Sequence, residues 1–149
     1  MNTKELGKFS ILEGMTSEEL EKICALCDDV TFSDGEAIFR EGDSSLYLYL
    51  IRSGRVSLRM GLPNQKVLVI GTLEPGEELG WSAVRANKPY TASAVAVGKV
   101  EAYRLPGEKL ARLFEEEPRM GYRAYSKLLG VVAERLEEAR IRIANMTHG

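Results

Sequence analysis

From Asp28 to about residue 106 the chain never runs far without a turn signal. Short apolar segments (VTF, AIF, LYLYLI, VSLRM, KVLVIGTL, ASAVAVG and VEAYRL) are separated by SDG, EGDSS, RSGR, GLPN and EPGE. Turns roughly 8–12 residues apart leave no room for helices and suit a sandwich or barrel of short antiparallel strands. About eight strands are predicted over 28–106. Gly35, Gly42, Gly54, Gly61 and Gly76 punctuate them, where the backbone needs special conformations.

Helical texture flanks this run. Thr16 followed three residues later by Glu19 forms a capping box, and Leu20, Ile23 and Leu26 carry helical spacing, so a helix is predicted at about 17–26. Helices return at GEKLARLFEEE, and Pro118 suits the first turn of another, where its missing amide costs nothing. Along that last segment Tyr122, Tyr125, Leu129, Val132, Leu136, Ala139, Ile143 and Met146 recur in alternating steps of three and four. This narrow heptad seam favours a partner helix, although one helix packing on its own domain is the plainer alternative. A homodimer is therefore expected, with Tyr125, Leu129, Val132, Leu136, Ala139 and Ile143 as interface candidates. Arg135, Arg140 and Arg142 flank the seam. Arg135 would face Arg140 across a parallel pair, costing about 0.2–0.5 kcal/mol against about 1.5–3 kcal/mol for burying Leu136 or Ile143. The other reading of these arginines is that they meet something acidic, a ligand or another protein.

The 149 residues suffice for one domain, here 1–149, with N-terminal helices over 1–27, the strands over 28–106 and C-terminal helices over 107–146. A net charge of -2 gives no reason to expect a nucleic acid or an acidic membrane as partner. No apolar run reaches the roughly 18–20 residues of a membrane span, and the N-terminus has no apolar core of a secretory signal. Cys24 and Cys27 are the only cysteines and His148 the only histidine. Together they cannot complete a four-ligand zinc site, so no metal is expected. The two thiols read as small buried side chains in a reducing cytoplasm, with a redox pair as the lesser alternative. No nucleophile–base pair is visible, and acids such as those in SEELE and FEEE read as solvated helix faces, so no enzyme is expected.

The order of elements, with FREGD at 39–43 and LYLIRSGRVSL at 48–58, resembles the cyclic nucleotide-binding domain family. The spaced Gly42, Gly54, Gly76 and Gly80 carry the same likeness, which extends from about residue 9 to 146. The resemblance implies a mainly β fold: an eight-stranded antiparallel jelly-roll barrel flanked by helices, with a long C-terminal dimerisation helix. It also implies a non-catalytic sensor or regulator in bacterial signal transduction. In that family a phosphate-binding cassette reads G-E-L-A and then, a few residues on, P-R-S/T-A. Here the matching residues are Gly80-Trp81-Ser82-Ala83 and Pro89-Tyr90-Thr91-Ala92. The glutamate that accepts the ribose hydroxyl falls at Trp81, and the arginine that pairs with the cyclic phosphate falls at Tyr90.

Replacing charged, often bidentate hydrogen bonds by one neutral hydroxyl costs roughly 2–4 kcal/mol, or about 30- to 1000-fold in affinity. Weak or absent binding of cyclic AMP is expected. The ligand candidates are Gly80, Trp81, Ser82, Ala83, Arg85, Tyr90, Thr91 and Ala92, with Arg140 above them on the long helix. Amides of a turn at Ser82–Ala86, the hydroxyl of Ser93 and the charge of Lys88 could contribute. Either the pocket takes a cyclic nucleotide or another small anion, or Trp81 and Tyr90 simply fill it, leaving a ligand-free dimeric scaffold for a partner protein. No other cofactor is implied. DNA-reading relatives carry a helix-turn-helix domain after the long helix. The residues after Met146 leave no room for one, so contact with DNA in that manner is not expected.

Overall fold

The computed structural model describes residues 3–85 and 88–148, with side chains through residue 146. Helix α1 (Thr3–Leu6), a 3-10 turn at Ser10–Leu12 and helix α2 (Ser17–Cys24) precede the strands. The capping box is present: the Glu19 amide donates to Thr16 Oγ1 at 3.2 Å and the Thr16 amide to Glu19 Oε1 at 2.9 Å. Six strands follow, β1 (Asp28–Phe32), β2 (Ala37–Phe39), β3 (Tyr47–Gly61), β4 (Val67–Leu73), β5 (Glu78–Leu79) and β6 (Ser93–Pro106). Helices α3 (Gly107–Glu116) and α4 (Pro118–His148) complete the fold.

All pairings are antiparallel. The central pair is β3 with β6, from Tyr47 opposite Pro106 to Arg59 opposite Ser93. The far edge of β6 pairs β1 at one end and β2 at the other, and the far edge of β3 pairs β5 and β4. The sequence suggested about eight strands, and the described residues form six. RSGR, read as a turn, lies inside β3, and the break read between ASAVAVG and VEAYRL lies inside β6. The register slips between Ile51 and Arg55, so each long strand bends without ending. Gly54 makes the bend with φ 86°, and a Cβ there would stand 2.3 Å from the Lys99 carbonyl oxygen.

Strand β3 buries both faces, which is why LYLYLI is nearly all apolar. Successive side chains point to opposite sides. Leu48 and Leu50 pack with Leu6, Leu12, Ile23, Leu110 and Phe114 under the helices. Tyr49 and Ile51 turn the other way, to Phe39, Val56, Leu79, Tyr90 and Val100 within the roll. Cys24 and Cys27 pack against the helical side of this core as free thiols, and burial pushes the Cys27 thiol up to about 12.

Gly54→Ala should destabilise the protein by about 3 kcal/mol in urea denaturation, combining left-handed strain with overpacking against β6. A change under about 0.5 kcal/mol would show that the bend tolerates a side chain.

Candidate functional site

A cavity of about 340 Å³ opens between the roll and α4. That is more than twice the roughly 150 Å³ that holds a benzene ring. Gly80, Trp81, Ser82, Tyr90, Thr91 and Ala92 line one side. Strand β4 contributes Ile70, Gly71, Thr72 and Leu73, and α4 closes over it with Val131, Val132, Arg135, Leu136 and Ala139. The connection that shapes it is local. Gly80 takes φ 82° at the start of a 3-10 turn over Trp81–Val84, and a Cβ on it would lie 2.8 Å from the Tyr47 carbonyl oxygen. Only glycine allows this chain reversal so close to β3.

The two aromatic residues of the cassette have different fates. Tyr90 is buried, stacked on Phe39 with ring centroids 3.8 Å apart. Its hydroxyl donates to the Tyr47 carbonyl at 2.7 Å and accepts from the Tyr47 amide at 3.1 Å. Burial pushes this phenol above its ordinary value, so it presents a neutral ring edge and no charge. Trp81 is half-buried in the cavity wall. The Arg135 guanidinium lies over its ring, 4.6 Å from the centroid.

Among the described residues that line the cavity, Arg135 is the one cation, and it comes from α4. Its Nη2 donates to the Glu78 backbone carbonyl at 2.7 Å and lies 3.5 Å from Glu78 Oε1. Its Nη1 is buried with no hydrogen-bond partner. Glu78 is 1% exposed, and its Oε2 accepts from Ser10 Oγ at 3.1 Å. Burial raises the Glu78 carboxyl and lowers the Arg135 guanidinium, each toward its neutral form, although their mutual attraction acts the other way on both. Desolvation therefore outweighs the ion pair, as expected for a long, single contact in an apolar setting.

The other candidates are placed elsewhere. Ala83 turns away from the cavity, against the start of α3, where a Cβ on Gly107 would sit 2.0 Å from its carbonyl oxygen. Arg85 and Lys88 are exposed and line a separate groove beside α3. Arg140 is exposed on α4 and absent from the cavity wall. Ser93 Oγ accepts the Glu41 amide at 2.9 Å, so that hydroxyl serves the roll. The turn expected at Ser82–Ala86 ends at residue 86, which lies outside the described residues. Among the described residues no group of three metal-ligating side chains occurs; the His148 side chain lies outside them.

Helix α4 carries two stripes. Met120 and Ala124 sit in the core, Arg123 and Lys127 pair with Glu19 and Glu13, and Arg142 Nη1 donates to the Val69 carbonyl at 2.8 Å. With Val131 and Arg135 these residues form the face turned to the protein's own roll. The heptad seam overlaps its edge, since Val132, Leu136 and Ala139 line the cavity and Tyr125 meets Phe114 edge-on, but Tyr122 is 76% exposed, Leu129 69%, Leu136 51% and Ile143 59%. Sequence reasoning placed Arg135 on the flank of that seam, with an acidic ligand or protein as its alternative partner, and did not foresee Glu78. The signal that would have found Arg135 is its spacing of seven and eleven residues from Leu128 and Ala124, on the inward face. Glu78 was missed because it directly follows the turn signal EPGE, where a charged residue reads as solvated.

These features define the class. Residues 29–117 match the sequence model of the cyclic nucleotide-binding domain, and the chain belongs to that family. Glutaminase 1 of Bradyrhizobium diazoefficiens is 29% identical over 145 residues, covering 97% of this chain and 23% of the glutaminase. A CRP-like cAMP-activated global transcriptional regulator of Mycobacterium tuberculosis is 23% identical over 141 residues, 95% of this chain and 61% of that protein. The chain thus spans less than two thirds of either relative. A cyclic nucleotide-binding domain from Methylobacillus flagellatus superposes with a TM-score of 0.83 at 24% identity, covering 99% of this chain and 83% of that one. Among the described residues no helix is long and apolar enough to cross a membrane.

The raised Glu78 carboxyl makes a signed prediction. Its contribution to stability is full below its ordinary value of 4.5 and is lost as pH rises through the higher folded value. As pH rises from below 4.5 through that higher folded value, the native protein should lose urea stability relative to Glu78→Gln. Parallel pH profiles for the two would contradict the buried assignment.

Proposed function

We propose that this chain is a non-catalytic regulatory module, one domain over residues 1–149, whose cavity takes a ligand other than a cyclic nucleotide. The observation that carries this reading is Tyr90. Where the family arginine would meet a cyclic phosphate, a neutral ring is stacked on Phe39 and tied to Tyr47. The mycobacterial relative is named as cAMP-activated, and the cassette frame of Gly80, Ala83, Pro89 and Ala92 is kept here. The frame supports a ligand site, and the two substitutions support a changed ligand. Gly80, Trp81, Ser82, Tyr90, Thr91 and Ala92 are its walls, whereas Ala83, Arg85 and Arg140 lie outside it. The largely apolar wall, holding a single guanidinium, favours binding over catalysis. Free thiols at Cys24 and Cys27 suit a cytoplasmic setting.

Trp81 is the only tryptophan and reports on the cavity. Its fluorescence should show no saturable change with cyclic AMP up to about 1 mM, since a loss of about 30- to 1000-fold leaves little affinity. A dissociation constant near 1 μM would contradict the changed-ligand reading. The alternative, a ligand-free scaffold for a partner protein, gains from the way Tyr90 fills its share of the pocket. The remaining open volume favours a ligand.

A homodimer through Tyr125, Leu129, Val132, Leu136, Ala139 and Ile143 is supported by the exposed apolar surface of Tyr125, Leu129, Leu136 and Ile143, which a second copy would cover, with Val132 and Ala139 at the cavity edge. Leu129 does not line the cavity, so Leu129→Asp isolates the interface. Light scattering should find dimers for the native chain and monomers for the variant. A variant that remains dimeric would remove α4 as the interface.

A further inference from the structure

We propose that the cavity receives a small organic monocarboxylate with a flat apolar body, its carboxylate held by Arg135 on α4 and its body lying along Trp81. This rests on the reading of the cavity as a ligand site and names the ligand's chemical class. Among the described residues lining the cavity Arg135 is the one cation. Its guanidinium is incompletely satisfied. Nη2 is engaged by the Glu78 carbonyl, the Glu78 carboxylate oxygen stands off at 3.5 Å, and Nη1 is buried without any partner. A buried donor left unmet is costly, and an anionic oxygen is its best partner. The planar fork of a guanidinium matches the planar pair of carboxylate oxygens.

The surroundings limit the charge. Glu77, Glu134 and Glu138 also line the cavity, and Glu77 and Glu138 act on Arg135 electrostatically. A dianion such as a phosphate monoester would meet three carboxylates for one cation, whereas a single charge placed on Arg135 is shielded by it. The body of the ligand meets Phe39, Leu58, Ile70 and Leu73 opposite the Trp81 side. These walls favour an aromatic or fused-ring body over a hydroxyl-rich sugar, because each unpaired hydroxyl there would lose its water. The anion is thus received by the C-terminal helix and not by the cassette loop, whose own position for it is closed by Tyr90.

The test is isothermal titration calorimetry on the full chain with 2-naphthoate and trans-cinnamate, each against its neutral amide, with cyclic AMP alongside. The acids should bind about 10- to 100-fold tighter than the amides, and Arg135→Gln should abolish that preference while Arg135→Lys keeps part of it. If Arg135→Gln does not fold, the side-chain Nε–H resonance of Arg135 in the native protein reads the same contact. It should move with the acid and stay with the amide. Equal affinity for acid and amide, a preference that survives Arg135→Gln, or a resonance blind to the acid would overturn this inference while leaving a ligand site in place. Binding of cyclic AMP alone would overturn it together with the changed-ligand reading. No binding of any compound would overturn both in favour of the scaffold.

Discussion

A buried contact between Glu78 and Arg135 holds together three segments far apart in sequence. Glu78 sits at the end of β5, takes a hydrogen bond from Ser10 in the N-terminal turn, and meets Arg135 from the middle of α4. The guanidinium covers Trp81, so the same side chain closes one wall of the cavity. Both charges are displaced toward neutrality by burial, so the pair contributes little net stability but is expensive to break from one side. What it fixes is geometry. With Arg135 anchored on Glu78 and Arg142 on the Val69 carbonyl, α4 must lie over the roll with one face inward. The neighbouring apolar stripe is then left to solvent or a partner.

That arrangement keeps the family fold with other side chains at the cassette. The cassette backbone is retained because Gly80 permits the reversal beside β3, whatever residue follows it. The charge once expected from the loop enters from the helix. Tyr90 and Phe39 seal the loop side as part of the inner core, and the cavity beside them is lined by apolar side chains, one guanidinium and the carboxylates of Glu77, Glu134 and Glu138.

The sequence made the outline legible where the signals were local. Thr16 and Glu19 marked the start of α2, Pro118 the start of α4, and turn residues most strand ends. The strand count differed because a glycine between apolar segments looks the same as a turn or a bulge. Only the approach of Gly54 to Lys99 decides between them. In the cassette the substitutions at positions 81 and 90 were plain, but not the direction of each ring. Tyr90 turns inward because Tyr47 offers a backbone partner that is remote in sequence. Arg135 looked like a solvent-facing flank of a heptad, since its partner Glu78 is 57 residues away. Local patterns show which faces a helix has, and long-range pairing decides which of them it uses.

A double-mutant cycle between Glu78→Gln and Arg135→Gln, followed by urea denaturation at neutral pH, measures the contact on which this account rests. Glu78→Gln takes the carboxylate from beside Arg135 while leaving the backbone carbonyl, and Arg135→Gln leaves the buried carboxyl with Ser10 alone, so the two effects should be non-additive, with a coupling of about 1–3 kcal/mol. Additivity to within about 0.3 kcal/mol would mean that Arg135 does not hold α4 on Glu78, and the helix-borne cation would have to be abandoned.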